Sequence, residues 1–201
     1  MRPTDILKQE HRVIEQVLAC LERMAERCEA GETLDAGSAR DAVAFLRTFA
    51  DQCHHGKEED CLFPALEALG FPRQGGPTGV MLHEHEQGRA FIAGMEGAIG
   101  EAVAGDAGAR AQWVRHARGY ANLLRQHIQK EDHCLFAMAD QALPDAEQQR
   151  LLEAFGRVEH EDMGPGTHEK YLKIADALAD RYGVPRAVTA AGQDCGCSCG
   201  H

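Results

Sequence analysis

Two copies of a His-x-x-x-Glu motif are the feature of this sequence with the clearest capacity for chemistry. The first is His54-His-Gly-Lys-Glu58 and the second is His127-Ile-Gln-Lys-Glu131. In an α-helix, four residues turn through about 400°, so the His and Glu of each motif lie on one face, one turn apart. Imidazole and carboxylate groups on one face suit iron, with manganese or zinc as competitors.

Two further histidines, His11 and His85, lie on the helical segments that precede the motifs. Each fills a gap in a stripe of apolar residues at helical period, so each is predicted to face the interior. The first turn, near Thr33, lies 22 residues after His11 and 21 residues before His54, and His85 and His127 each lie 21 residues from the second turn. At about 1.5 Å per residue, the members of each pair reach the same height in a bundle.

The region that contains the motifs is duplicated. Residues 54–63 match residues 127–136 at an offset of 73, and the Glu-His pair at 10–11 matches the pair at 84–85 at an offset of 74. A duplicated two-helix unit predicts a pseudo-twofold site with two histidines for each metal and two glutamates between the metals. So many polar groups on buried faces would be costly without a metal to satisfy them. The predicted metal ligands are His11, His54, Glu58, His85, His127 and Glu131.

Helical periodicity in four long segments positions these residues. Glycine-containing breaks, one of them at Gly31, separate neighbouring segments. Because short connections join antiparallel neighbours, we predict an all-α fold, an up-down antiparallel four-helix bundle. The segments run over roughly residues 4–30, 36–69, 79–104 and 108–141.

The pattern divides the chain into three parts. We predict the bundle over residues 1–143 and a C-terminal helical extension, packed on the bundle, over residues 144–183. Helical signals stop at Gly183, so residues 184–201 are predicted to be a flexible, Cys-rich tail. Its Cys195, Cys197 and Cys199 could bind a soft metal ion, although their spacing is not that of a zinc finger.

Four segments carry a family resemblance, namely Lys-Gln-Glu-His11, His54-His-Gly-Lys-Glu58-Glu-Asp-Cys-Leu-Phe-Pro64, Glu84-His85-Glu-Gln-Gly-Arg89 and His127-Ile-Gln-Lys-Glu131-Asp. They resemble the hemerythrin-like family, whose module is the HHE cation-binding domain, over roughly residues 4–141. The resemblance implies a four-helix bundle that holds two iron ions, bridged by carboxylates and by an oxo or hydroxo group. The six predicted ligands match the family's ligand positions.

The sequence departs from the oxygen-carrying members of that family on the third helix. Their third helix resembles His-x-x-x-His, whereas Met81 and Arg89 stand four residues before and after His85. The resulting set of four histidines and two glutamates is closer to relatives that handle nitric oxide or peroxide or repair iron–sulfur centres. Reversible oxygen carriage is therefore disfavoured at this point.

Four other residues near the motifs leave the ligand set open. His55 and Glu59 repeat the motif one step round the helix, but only one register is expected to face the core, and Ile128 at the matching position favours His54. His83 lies about 200° round the helix from His85 and is not expected to share its face. Glu15 lies one turn beyond His11, where an ion pair and metal ligation are both open.

The function that these features favour is a redox-active di-iron protein. It would react with a small molecule, either oxygen, hydrogen peroxide or nitric oxide, in redox or stress handling. The alternatives are iron storage, donation to a metal-accepting partner or sensing, and a reversible oxygen carrier. Whether the protein is an enzyme stays open, and if it is one, we expect a di-iron oxidoreductase.

Composition excludes some partners. A formal net charge of −11 without a basic run disfavours binding to nucleic acid and to anionic membranes. The first ten residues lack the apolar core of a signal peptide, which predicts a cytoplasmic location without disulfides for the eight cysteines.

Overall fold

The computed structural model describes residues 1–188, and this part of the chain is helical and contains no strand. Two long helical hairpins form the bundle and two shorter helices follow, which confirms the predicted all-α bundle with additional C-terminal helices. The predicted Cys-rich tail falls largely on residues 189–201, which lie outside the described residues. The α-helices are α1 (Pro3–Glu29), α2 (Ala36–Phe45), α3 (Phe63–Ala68), α4 (Pro77–Val103), α5 (Ala107–Lys130), α6 (Phe136–Ala142), α7 (Asp145–Arg157) and α8 (Thr167–Tyr182).

Several helices continue into one another through π-helical turns, which the sequence did not predict. Leu46–His55 and Glu58–Leu62 connect α2 to α3, and Glu131–Leu135 connects α5 to α6. Val158–Asp162 extends α7 in the same way. In a π-helix the backbone bonds run from i to i+5, so each turn holds more residues than an α-turn, and such turns often occur at functional sites.

The two hairpins turn in the same manner. Gly31 after α1 and Gly105 after α4 have φ of 95° and 98°, a left-handed conformation that glycine adopts without steric cost. Asp35 and Asp106 then begin α2 and α5, and each accepts a hydrogen bond from the backbone N–H three residues on, at 2.8 and 2.7 Å. Both turns therefore use a left-handed glycine and an aspartate cap, although Asp35 follows Gly31 by four residues and Asp106 follows Gly105 directly.

The bundle brings the four ligand-bearing segments round one axis. Helix α1 packs against α5 and the π-helical turns after α2, while α4 packs against α5 and α2. Helix α8 covers α1 and α2 through an apolar stripe that includes the buried Tyr171 and Leu178. One apolar cluster fills the hairpin-turn end and a smaller one, including Leu7 and Phe136, fills the opposite end, with the predicted ligands between them.

No helix among residues 1–188 has both the length and the apolar character that a bilayer span requires.

Candidate metal centre

One group of potential ligands gathers three histidines round a glutamate. The group comprises His55, Glu58, His85 and His127, whose ligand atoms all lie within 4.8 Å of one another. The Nε2 atoms of His85 and His127 are 3.1 Å apart. Two adjacent ligand atoms on a metal with bonds of about 2.1 Å are separated by about 3 Å, so this spacing fits a shared metal ion.

A second group lies beside the first and contains only two histidines. It comprises His11, His54, Glu58 and Glu131, again with ligand atoms within 4.8 Å of one another. Glu58 belongs to both groups, because its Oε1 lies 3.7 Å from His54 Nε2 while its Oε2 lies 3.4 Å from His85 Nε2.

Glu131 also joins the two halves of the centre. Its Oε2 lies 3.2 Å from His11 Nε2 in one group and 3.2 Å from His127 Nε2 in the other. The two glutamates therefore lie between two sets of imidazoles, as the pseudo-twofold arrangement predicted. The six sequence-predicted ligands all converge here.

The polar atoms that point into the centre fit a metal pair better than they fit one another. Both carboxylate oxygens of Glu58 and of Glu131 are buried without a hydrogen-bond partner, and so are the Nε2 atoms of His11, His54 and His55. A buried polar atom without a partner costs about 1–3 kcal/mol, so this many in one place would be expensive. Metal ions coordinated by these oxygens and nitrogens would satisfy all of them.

Each histidine of the centre is oriented by a carboxylate on its other ring nitrogen. The Nδ1–H donates to the carboxylate, which leaves Nε2 free to bind a metal, an arrangement common at protein metal sites. The two oxygens of such a carboxylate also accept other partners, for example Arg12 on Asp132. The Nδ1 pairs are His11–Asp132 at 2.8 Å, His54–Glu10 at 2.9 Å, His55–Asp51 at 3.3 Å, His85–Glu59 at 2.7 Å and His127–Glu84 at 2.9 Å.

Four of these carboxylates follow the sequence duplication. Glu10 and Glu84 each precede a ligand histidine and support the histidine of the neighbouring helix. Glu59 and Asp132 each follow a motif glutamate, and each supports a histidine of the other half of the sequence, Glu59 supporting His85 and Asp132 supporting His11. These supporting roles were not predicted from the sequence, although the duplicated Glu-His pairs and the acid after each motif are visible signals of them.

The expectation that only one of His54 and His55 faces the core is wrong. Both are buried and both aim Nε2 into the centre, because the backbone at this point is π-helical rather than α-helical. In an α-helix, adjacent side chains diverge by about 100°, which is why the sequence argument excluded the pair. The doubled His54-His55 was the one sequence signal that could have revealed the fifth histidine.

His55 makes the two ligand groups of the centre unequal. The group with His55, His85 and His127 is the three-histidine half of the centre, and the group with His11 and His54 is the two-histidine half. It is stacked on His85 with ring centroids 3.8 Å apart, and Asp51 on its Nδ1 side is held by Arg89 at 2.9 Å. Burial and then the charge of His85 lower the pKa of His55 well below its usual value. Neutral imidazole is the form that binds metal.

In the metal-free protein, His11 and His127 share charge with the carboxylates. Burial lowers the pKa of His127, but Glu131 and Glu84 outweigh it and raise that pKa to about 10. Burial also lowers the pKa of His11, but the hydrogen bonds to Asp132 and Glu131 outweigh this effect and raise that pKa to about 9. A proton on these rings therefore partly replaces the positive charge that a metal would supply.

The remaining residues considered from sequence lie outside the centre. His83 is exposed and pairs with Gln87, as its position round the helix predicted. Glu15 forms an ion pair with Arg12 at 2.9 Å rather than joining either group. Glu59 orients His85 and is not among the grouped ligand atoms.

A third group of potential ligands consists of Glu10, Cys53 and His168. Burial raises the pKa of the Cys53 thiol to about 12, although the nearby ammonium of Lys57 acts in the opposite direction. The same ammonium contacts Glu10. A cation in the form of Lys57 already occupies this position, so we assign no metal to it.

Comparison with known proteins agrees with this geometry. The model of the hemerythrin HHE cation-binding domain matches residues 2–139. Three relatives, one from Mycobacterium bovis and two from strains of Mycobacterium tuberculosis, are each 25% identical over 178 residues, which is 89% of this chain and 68% of theirs. All three are described as uncharacterized proteins, and no solved structure matches. The clustered ligands indicate a metal-binding protein, and the family match over more than half of its length means that the chain belongs to the hemerythrin HHE cation-binding family.

Proposed function

We propose that this protein holds two iron ions in the bundle and that the pair reacts with a small molecule, either oxygen, hydrogen peroxide or nitric oxide. The observation that carries this proposal is the position of Glu58 and Glu131, each within ion-pair distance of histidines from both groups. A carboxylate in that position can bridge two metals. An iron pair would supply a ferrous–ferric couple and an open coordination position.

The number and type of donors favour iron over zinc. The three-histidine half offers His55, His85 and His127 together with Glu58 and Glu131, which exceeds the four ligands of most structural zinc sites. Mixed imidazole and carboxylate donors with open positions are typical of non-haem iron.

The unequal halves suggest where a small molecule would bind. The two-histidine half offers one donor fewer, so a metal there keeps more positions for an exogenous ligand than its neighbour. All seven proposed ligands are at most 2% exposed, which favours a ligand of two to four atoms over any larger substrate. The same burial disfavours rapid delivery of iron to a partner.

Reversible oxygen binding becomes the second candidate because of His55. A symmetrical set of four histidines, as the sequence predicted, would disfavour reversible binding. With His55 in the three-histidine half, one metal is nearly saturated while the other stays open, and that asymmetry is what a reversible carrier requires.

The experiment that separates these functions is optical. The protein is loaded anaerobically with ferrous iron and then exposed separately to oxygen, hydrogen peroxide and nitric oxide, with Glu58→Ala as the control. An absorption change with oxygen that does not reverse under argon would support redox handling, and one that reverses over repeated cycles would support carriage. A loaded protein that responds to none of the three would contradict the proposal.

A further inference from the structure

Lys57, inside the first His-x-x-x-Glu motif, has an unusual environment for a lysine. Its side chain is 0% exposed, and its ammonium contacts Glu10 and lies 2.5 Å from Glu159 Oε1. It also lies 5.8 Å from the centroid of the Phe155 ring. A buried ammonium is costly unless it is paired, so these two carboxylates are what allow Lys57 to remain inside the protein.

The contacts of Lys57 lead directly to a proposed metal ligand. Glu10 accepts from Lys57 through Oε1 and from the Nδ1–H of His54 through Oε2 at 2.9 Å. Glu159, Lys57, Glu10 and His54 thus form one continuous chain of contacts. Glu159 lies beyond residue 139, where the family match ends, so the first member of the chain belongs to the C-terminal extension.

The second half of the bundle provides an internal comparison. Lys130 occupies the same position in the second motif, and its ammonium contacts Glu84, which orients His127. The Lys130 side chain is nevertheless 42% exposed, and among residues 1–188 no carboxylate of the extension pairs with it. One Lys–Glu–His chain is therefore covered by the extension and the other faces solvent.

The extension covers the chain of contacts from Lys57 to His54 at a cavity next to the two-histidine half. The cavity has a volume of about 170 Å³ and is lined by Glu10 and Phe49 from the bundle and by Glu159, His168 and Leu172 from the extension. Glu159 itself is only 28% exposed. A movement of the extension would break the Glu159–Lys57 pair and remove the wall of this cavity that faces Glu10.

We propose that Lys57 and Glu159 are positioning residues for the two-histidine half of the metal centre, through which the C-terminal extension slows the loss of metal from that half. This inference rests on the two-metal centre proposed above. Removing one partner of a buried ion pair leaves an unpaired charge. Glu10 would then shift toward another partner and hold His54 less firmly, and loss of such support lowers metal affinity by about 10–100-fold.

The test is the rate of metal release from full-length protein in which Cys195, Cys197 and Cys199 are replaced by Ser, so that the tail offers no thiols. Protein loaded anaerobically with ferrous iron is mixed with a coloured ferrous chelator, and the two equivalents are followed separately in time. We expect Lys57→Met to accelerate one equivalent by about 10–100-fold. Glu159→Gln should accelerate the same equivalent by a smaller factor, and Lys130→Met should leave that equivalent unchanged.

Coupling between the two residues sharpens the test. Because Lys57 and Glu159 act through the same chain of contacts to His54, the double variant Lys57→Met with Glu159→Gln should release metal no faster than Lys57→Met alone. A merely structural role would instead accelerate the release of both equivalents by similar factors. Glu159 is the outermost residue of the chain of contacts and its side chain is 28% exposed, so Glu159→Gln is expected to fold. This variant decides the question if Lys57→Met fails to fold.

The outcomes separate this inference from the proposed function. Two equivalents released at unchanged rates from Glu159→Gln and Lys57→Met would overturn the positioning role alone. A loaded protein that ignores oxygen, peroxide and nitric oxide but shows the expected release rates would overturn only the reaction proposed for the centre. Fewer than two iron ions in the unmodified chain would overturn both.

Discussion

The two halves of the bundle, residues 3–68 and 77–142, share their plan but differ at the metal centre. Both halves begin with a Glu-His pair and continue to a His-x-x-Lys-Glu segment that aims one His and one Glu inward. In the first half, Asp51 and His55 stand where the second half has Leu124 and Ile128. Duplication thus accounts for a symmetrical pair of ligand sets, and these two positions account for the inequality between them.

Backbone geometry explains why the difference is tolerated. The first half is π-helical over Leu46–His55, which turns His55 inward beside His54. The matching stretch of the second half remains α-helical as far as Lys130, and Ile128 packs among apolar residues. A change in helix type distinguishes the halves at this point.

The largest effect should come from Glu58→Ala, because Glu58 belongs to both ligand groups. We expect the variant to lose both metal ions, whereas a single histidine variant loses mainly one. It should also lose the stabilisation that bound metal provides, about 4 kcal/mol when free metal is a thousandfold above Kd. Metal analysis and thermal melting with and without iron measure this, with Glu15→Ala as the control. Two ions retained by Glu58→Ala would show that Glu58 does not bridge.

His55→Ile would make the halves alike by installing the residue of the second half. We expect weaker binding of one metal ion, with the other retained, and rapid irreversible oxidation by oxygen in place of any reversible spectrum. The exposed His83→Ala serves as the matched control. Equal metal affinity and an unchanged oxygen response in His55→Ile would mean that His55 is not a ligand, and the symmetrical four-histidine set would stand.

Equivalent supporting carboxylates should give equivalent effects. Asp132→Asn weakens the support of His11, and Glu59→Gln weakens that of His85. We expect each to lower the affinity for one metal by about 10–100-fold, measured by competition with a chelator. A large effect of one variant and none of the other would show that the halves differ in more than His55.

The pH dependence of the metal-free protein should be a smaller effect. The pKa values of His11 and His127 are raised to about 9 and about 10, above the unfolded value near 6.5. Their contribution to stability is therefore complete below about pH 6.5 and is lost as the pH rises through the two folded values. Urea midpoints with chelator present should fall between about pH 6.5 and 9, and His127→Gln should reduce that fall. A midpoint that rises over this range would contradict the charge sharing.

Metal binding should show the opposite dependence on pH. Protons on His11 and His127 compete with the metal, so metal affinity should increase as the pH rises. Chelator competition at a series of pH values measures this. An affinity that is independent of pH would indicate that these rings bind the metal without losing a proton.

The four long helices could be predicted because α-helical periodicity and the duplication both mark them. Convergence of His11 with His54, and of His85 with His127, followed from equal distances to the turns. The inward orientation of His55 was not predicted, because an α-helical projection places it away from His54, whereas the backbone here is π-helical. The burial of Lys57 was equally hidden, since it depends on Glu159, more than a hundred residues away.

Two unequal iron sites that share Glu58 and Glu131 can be tested most directly by Mössbauer spectroscopy together with iron analysis. Full-length protein with its tail cysteines replaced by Ser is loaded anaerobically with isotopically enriched ferrous iron. We expect two iron ions per chain and two spectral components of equal area, one from the three-histidine half and one from the two-histidine half. One iron ion per chain, or two ions that give a single component, would contradict the unequal pair.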